Sequence, residues 1–220
     1  MLERRLEPEV MDDPVEAAAY QAMDHTQANE AFVLRLLELL GSEPTGAALD
    51  LGTGPGDIPI LLCGRAPLLR ITAIDLAQSM LNLAGTKIQS AGLADRIGLH
   101  LADVKRLPFA DSAFDIVFSN TILHHIPEPA EMLREAGRVL RPGGVLLIRD
   151  LFRPPDRATL DRLVDHHAGN ATAEQQRLFA ESLHAALTPD ELAVLAEQEG
   201  LGAAQIVLDT DRHMSLQMAG

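Results

Sequence analysis

Tryptophan is absent from this sequence and Tyr20 is its single tyrosine, so an aromatic cage around a quaternary ammonium is hard to build. Cys63 is the only cysteine, which excludes an internal disulfide and points to a cytoplasmic protein. Its place on an apolar helix face makes it buried filler rather than a reactive thiol. No apolar run is long enough to cross a membrane, because the stretch Ala31 to Leu40 is broken by Arg35 and Glu38. The opening residues, Met1 to Pro8, hold no apolar core segment, so no secretory signal is expected. Basic residues are outnumbered, with a net charge of −14. That balance repels phosphate backbones and argues against nucleic acid as partner. It keeps the protein soluble, and it would also attract a cationic substrate.

What is present is enough for one domain with a full hydrophobic core: 220 residues, 47% of them hydrophobic. The organising stretch is Ala47 to Asp57, an apolar run that ends in Asp50 and a turn, Gly52-Thr53-Gly54-Pro55-Gly56. A helix pattern follows from Ile58 to Leu62, and Pro59 is tolerated in a first turn because its missing N–H has no intrahelical acceptor there. Strand, glycine turn and helix aim the first backbone N–H groups of the helix at a ligand beyond the strand end. The glycines at 52, 54 and 56 are expected to remove every Cβ that would block it. A dinucleotide fingerprint needs G-x-G-x-x-G/A, but Asp57 stands where the third small residue belongs. Together with Asp50, this favours a ligand with an ammonium or sulfonium centre over a pyrophosphate.

Along the chain, apolar strands alternate with amphipathic helices. Strands are predicted at about 46–52, 70–76, 97–102, 114–120 and 145–148, and a closing pair at 203–208 and 213–218. Such alternation means α/β architecture with a doubly wound, mostly parallel sheet. Phe32, Val33, Leu36, Leu37 and Leu40 recur at helical spacing before Gly41, and a short helix is expected near Val15 to Met23. Pro129 is expected to open a helix that Arg141 to Gly144 breaks before the fifth strand. Thr188-Pro189-Asp190-Glu191 opens a helix with a capping box. Within a single domain, the expected divisions are a helical cap at 1–45, a cofactor-binding core at 46–152, a helical lid at 153–187 and a closing helix and hairpin at 188–220. Residues 1–30 and 153–187 are expected to cover the substrate.

On these residues the chain resembles the class I S-adenosylmethionine-dependent methyltransferases, especially the small-molecule enzymes related to the ubiquinone and menaquinone C-methyltransferases. The resemblance covers about residues 46–150. It implies a seven-stranded sheet with the last strand antiparallel, and S-adenosylmethionine as cofactor. It also implies cofactor contacts at Asp50, Gly52, Thr53, Gly54 and Gly56. Asp75 is then the ribose ligand, Asp103 and Val104 meet the adenine, and Leu76 and Met80 flank it. Asn120 closes the fourth strand end beside them. Each of these acids has an ordinary structural alternative as a turn or cap residue.

After the fourth strand comes Asn120-Thr121-Ile122-Leu123-His124-His125. The Asn/Asp-Pro-Pro-aromatic tetrad of the amino methyltransferases that act on nucleic-acid bases is missing, in keeping with the charge. Strands four and five are neighbours in the family order, so His124 is expected to act as general base oriented by Asp150, with His125 as its substitute. The plainer alternative is that the pair only shapes the pocket. No metal is expected, because adjacent histidines on a helix point apart and no i, i+4 pair exists. A small-molecule methyltransferase is the favoured function. The rivals are a module that binds S-adenosylmethionine or S-adenosylhomocysteine without methyl transfer, and an NAD(P)-dependent oxidoreductase, which Asp57 disfavours.

Overall fold

Seven strands form one sheet in the computed structural model of the chain, which describes residues 2–7 and 26–220. They are β1 (Gly46–Leu51), β2 (Leu69–Asp75), β3 (Ile97–Leu101), β4 (Phe114–Asn120), β5 (Leu140–Leu151), β6 (Gln205–Leu208) and β7 (His213–Met218). Their spatial order is β3-β2-β1-β4-β5-β7-β6. Neighbours are parallel from β3 to β5, while β7 runs antiparallel to both β5 and β6. This is the methyltransferase sheet that the sequence predicts. The order reverses between β1 and β4, and an open α/β sheet binds ligands beyond the strand ends at that crevice.

The helices are α1 (Thr26–Leu40), α2 (Asp57–Arg65), α3 (Gln78–Ser90), α4 (Pro129–Val139), α5 (Arg157–Ala168), α6 (Ala173–Ala185) and α7 (Pro189–Gln198). Alternate residues of each central strand feed two cores, because successive side chains leave opposite faces of a strand. Leu49, Leu51, Val117, Leu146 and Ile148 pack with Met132, Leu133 and Leu192 of α4 and α7. Ala48, Ile116, Phe118 and Leu147 pack with α1, α2 and α3, Cys63 among them. The thiol is buried, and burial raises its pKa, as expected of filler.

Two features differ from the sequence expectations. Phe32, Val33 and Leu36 of α1 are fully buried on the sheet, and Phe32 packs its ring 6.1 Å from that of Phe118. Exposing three such side chains would cost roughly 5–9 kcal/mol, so α1, within the cap expected at 1–45, packs as a core layer on the sheet. The helix expected near Val15 to Met23 lies outside the described residues. Strand five is longer than 145–148: Leu140 already pairs with Phe114, and Val145 pairs with Ile116. The preceding helix ends at Val139, and the chain from Arg141 to Gly144 bows out opposite Asp115 as a bulge inside the strand. Gly144 is needed there, since a Cβ would stand 2.7 Å from the Asp115 carbonyl oxygen.

The segment 153–187 is helical as expected but folds as two helices. The side chain of Asp156 accepts from Thr159 N at 2.7 Å to start α5. Thr172 and Gln175 form a capping box that starts α6. The hairpin has its own small core of Leu160, Leu163, Leu183 and Ala186 with Leu151, and Leu2 packs against it. Residues 2–7 run along the hairpin as a strap. Leu2 N donates to Pro155 O and Arg5 N to His184 O, each at 3.1 Å.

Candidate active site

The glycine turn is held by backbone geometry that only glycine adopts cheaply. Gly52, Gly54 and Gly56 have φ of 72°, 54° and 80°, values that favour glycine. Their roles differ from the single one expected. A Cβ on Gly52 would meet the Ile122 side chain at 2.7 Å, and one on Gly56 would meet Ala84 at 3.0 Å, so both make room for the protein itself. Only Gly54 has open space around it. The turn is pinned to β2, with Thr53 N donating to Ile74 O at 2.8 Å and Gly54 N donating to Asp75 Oδ2 at 2.8 Å. The other Asp75 oxygen accepts from Ala77 N at 2.9 Å. Asp57, the residue that breaks the dinucleotide fingerprint, is bound by Lys87 Nζ at 2.7 Å and so ties α2 to α3.

A cleft opens from this turn across the ends of β1, β2 and β4. It encloses about 1080 Å³ including its solvent-open mouth, within reach of the size that holds a drug-sized ligand. Gly52, Thr53, Gly54, Asp75 and Asn120 face it, as do the apolar walls Leu76, Met80 and Val104. Leu76 is exposed although large and apolar, while Met80 is buried. Asp103 also lines the cleft, with its carboxylate accepting from Lys105 N at 2.9 Å. Asp50 and Gly56 do not line it. Asp50 lies one layer deeper, 2% exposed. Burial, aided by repulsion from Asp75, pushes its pKa up to about 7, and the nearby Thr53 hydroxyl offsets this only in part. Asp50 Oδ2, Thr53 Oγ and Asn120 Oδ1 are buried without hydrogen-bond partners. Buried polar atoms are seldom left this way, and three together at adjacent strand ends fit a polar, cationic ligand.

Beyond β4, Thr121 has φ of 63°, an outlying conformation for a β-branched residue, and donates to Arg149 O at 2.8 Å. The chain then makes a short 3₁₀ turn, Leu123–His125. His124 meets Asp150 as the sequence predicts. Its Nδ1 lies 2.6 Å from Asp150 Oδ1, and its backbone N donates to Asp150 Oδ2 at 2.9 Å. The other ring nitrogen, Nε2, faces Glu7 Oε1 of the strap at 3.3 Å. Burial alone would lower the His124 pKa, but Asp150 and then Glu7 outweigh it and carry it to about 9. Burial of Glu7 is likewise outweighed by the two histidines, which bring that carboxyl to about 2.

Residues 49–148 match the family model of the methyltransferase domain. The chain is similar to 27-O-demethylrifamycin SV methyltransferase of Amycolatopsis mediterranei, 30% identical over 76% of this chain and 58% of that protein. It is also similar to ubiquinone/menaquinone biosynthesis C-methyltransferase UbiE of Roseobacter denitrificans, 36% identical over 50% of this chain and 44% of that one. A SAM-dependent methyltransferase from Aquifex aeolicus shares the fold with a TM-score of 0.66, over 93% of this chain and 97% of that chain, at 19% identity. This chain carries a methyltransferase domain at residues 49–148. It spans about half the length of the curated relatives it matches.

His125 and not His124 lines the cleft. His124 is 3% exposed and places both ring nitrogens against carboxylates, so the expected base does not face an acceptor. Three other residues of the site had no signal in the sequence. Asn29 of α1 and Thr121 line the cleft; the first comes from a helix with ordinary core spacing, and the second is marked only by its backbone angle. Glu7 reaches the histidines across the fold from a segment without any motif.

Proposed function

We propose that this methyltransferase transfers a methyl group from S-adenosylmethionine to a small-molecule acceptor. The observation that carries it is the buried, unpartnered carboxylate oxygen of Asp50 beneath an open glycine turn. When bound, the cofactor supplies an electrophilic methyl group on a cationic sulfur. Asp50 and the Thr53 hydroxyl are suited to the ammonium of its amino-acid end, where charge-assisted hydrogen bonds would satisfy them. Asp75, whose two carboxylate oxygens accept from Gly54 N and Ala77 N, stands at the strand end where a bidentate acceptor would meet the ribose hydroxyls. Leu76, Met80 and Val104 give the adenine apolar walls, and Asp103 stands where its amino group would be met.

His125, Thr121 and Asn29 complete the far wall, where the acceptor would lie. Alignment of acceptor, methyl and sulfur in a poorly hydrated site supplies most of the acceleration, because the displacement needs little from side chains beyond positioning. The acidic surface and the acceptors named in the relatives support a small molecule. Incubation of the full chain with isotopically labelled cofactor and a panel of phenols, alcohols, amines and activated carbon acids tests this. Labelled product with stoichiometric S-adenosylhomocysteine is the expected result. Tight cofactor binding with no transfer to any acceptor would favour the binding-module alternative.

A further inference from the structure

Among the described residues, one group of histidine and acidic side chains brings three ligand atoms within 4.8 Å of one another: Glu7, His124 and His125. The sequence argues against a metal because neighbouring histidines diverge on an α-helix. The 3₁₀ turn removes that objection. The two rings lie 4.2 Å apart with 34° between their planes, and the strap delivers a carboxylate to both. Glu7 Oε1 stands 3.3 Å from His124 Nε2 and 3.0 Å from His125 Nδ1. Donor atoms at about 2.0–2.1 Å from a tetrahedral zinc ion stand roughly 3.3 Å from one another. The spacing therefore matches a ligand set as well as a pair of ion contacts.

Two further observations favour ligands. His125 Nδ1 is buried and makes no well-aligned hydrogen bond, although Glu7 Oε1 is 3.0 Å away; a carboxylate cannot donate to an imidazole lone pair, whereas a cation between them would satisfy both. His124 binds Asp150 through Nδ1 at 2.6 Å, leaving Nε2 toward the group, and a carboxylate behind a histidine is the usual support of a ligating imidazole. Charge also balances. Glu7 and Asp150 carry two negative charges, which a divalent ion between neutral imidazoles would neutralise, and buried charge must be paired to be tolerated. Arg4, on the same strap, directs its guanidinium to the carbonyls of Ala185, Ile126 and Pro127 and not to Glu7.

We propose that Glu7, His124 and His125 form a divalent transition-metal site, of the zinc class, in the wall of the methyl-transfer cleft. Mixed imidazole and carboxylate donors select zinc-like ions over magnesium or calcium. Three protein ligands leave one position open, and His125 and Ile126 line the cleft, so that position would take an oxygen of the acceptor. The inference rests on the methyl-transfer function for its role but not for the binding of the ion.

The test is titration of the chelator-treated full chain with Zn²⁺ by calorimetry and with Co²⁺ by its visible absorption, alongside S-adenosylhomocysteine affinity. One Zn²⁺ per chain and tetrahedral Co²⁺ bands are expected. Glu7→Gln and His125→Gln should each weaken Zn²⁺ at least tenfold, and His167→Ala, in a separate histidine pair, should change nothing. Asp150→Asn, acting through His124, should weaken it by about 10–100-fold; because this residue is buried, its fold is checked by circular dichroism, and Glu7→Gln carries the test if it fails. Absence of stoichiometric Zn²⁺ binding, or binding indifferent to Glu7→Gln and His125→Gln, would overturn the site and leave an ion-paired histidine cluster. Intact S-adenosylhomocysteine binding in that case spares the methyltransferase function, whereas its loss in the wild type strikes that function alone.

Discussion

The two walls of the cleft are built in opposite ways. The wall at the glycine turn, proposed for the cofactor, is local: Gly52, Thr53, Gly54 and Asp75 sit in one strand-turn-helix unit and the strand beside it, joined at 2.8 Å by Thr53 N to Ile74 O and by Gly54 N to the Asp75 carboxylate. The opposite wall is assembled from distant pieces, with Asn29 from α1 and Thr121, Ile122 and His125 after β4 lining the cleft, and His124, Asp150 and Glu7 of the strap supporting His125 from behind. A local unit keeps its geometry whenever the sheet forms. An assembled wall depends on every element around it, so substrate choice can vary while cofactor binding stays the same.

The largest effect should come from separating the glycines. Gly52→Ala puts a Cβ 2.7 Å from Ile122 in a left-handed conformation. Overpacking of 1–3 kcal/mol and a left-handed penalty of 1–2 together predict a loss of about 2–5 kcal/mol in urea unfolding. Gly54→Ala meets no neighbour, and should lose only the left-handed penalty while weakening S-adenosylmethionine in calorimetry. Equal destabilisation by the two would erase the distinction between a packing glycine and a ligand glycine.

Asp50 comes next. Its folded pKa, about 7, lies above the usual carboxylate value, so between pH 4 and 7 the unfolded chain ionises while the native chain stays protonated. Stability from this group therefore falls as pH rises through that window and is level above it. A shift of about three units corresponds to roughly 4 kcal/mol at most. Asp50→Asn should flatten the slope, raising Tm at pH 8 relative to wild type but not at pH 4. Cofactor affinity of the wild type should fall as pH drops below 7, because the carboxyl must ionise to meet an ammonium. An affinity that is flat with pH, with Asp50→Asn binding equally well, would remove Asp50 from the site.

Asp75→Ala should weaken S-adenosylmethionine by about 1.5–3 kcal/mol, the range for hydrogen bonds to a charged group. It also releases Gly54 N and Ala77 N, so the loss is partly in the turn itself. Unchanged affinity would leave Asp75 as a turn residue only. The smallest effect separates the walls by mobility. Amides of α5 and α6 should exchange faster than those of β1, β4 and β5, and cofactor with acceptor should slow them. Full protection of the hairpin without ligand would make it core and move acceptor entry elsewhere.

Much of the cofactor wall was legible because the chemistry is local. Strand β4 begins and ends at the residues expected, Phe114 and Asn120, since an apolar run bounded by turn residues has few alternatives. Arg141-Pro142-Gly143-Gly144 signals the end of a helix, which does stop at Val139, but only the pairing of Leu140 with Phe114 and Val145 with Ile116 shows that these residues form a bulge inside β5. Glycine spacing pointed to the turn but not to the separate duties of Gly52 and Gly54, which depend on Ile122, far along the chain.

What the amino-acid sequence determined by itself is the alternation of strand and helix, the positive-φ turn after β1 and the acids at the strand ends. Those follow from steric and hydrogen-bonding preferences within a few residues. The tertiary structure decided which histidine faces the cleft, how deeply Asp50 is buried, and that Glu7 meets both imidazoles. Burial and charge pairing act through space between segments that the chain order leaves far apart, so no local pattern could carry them.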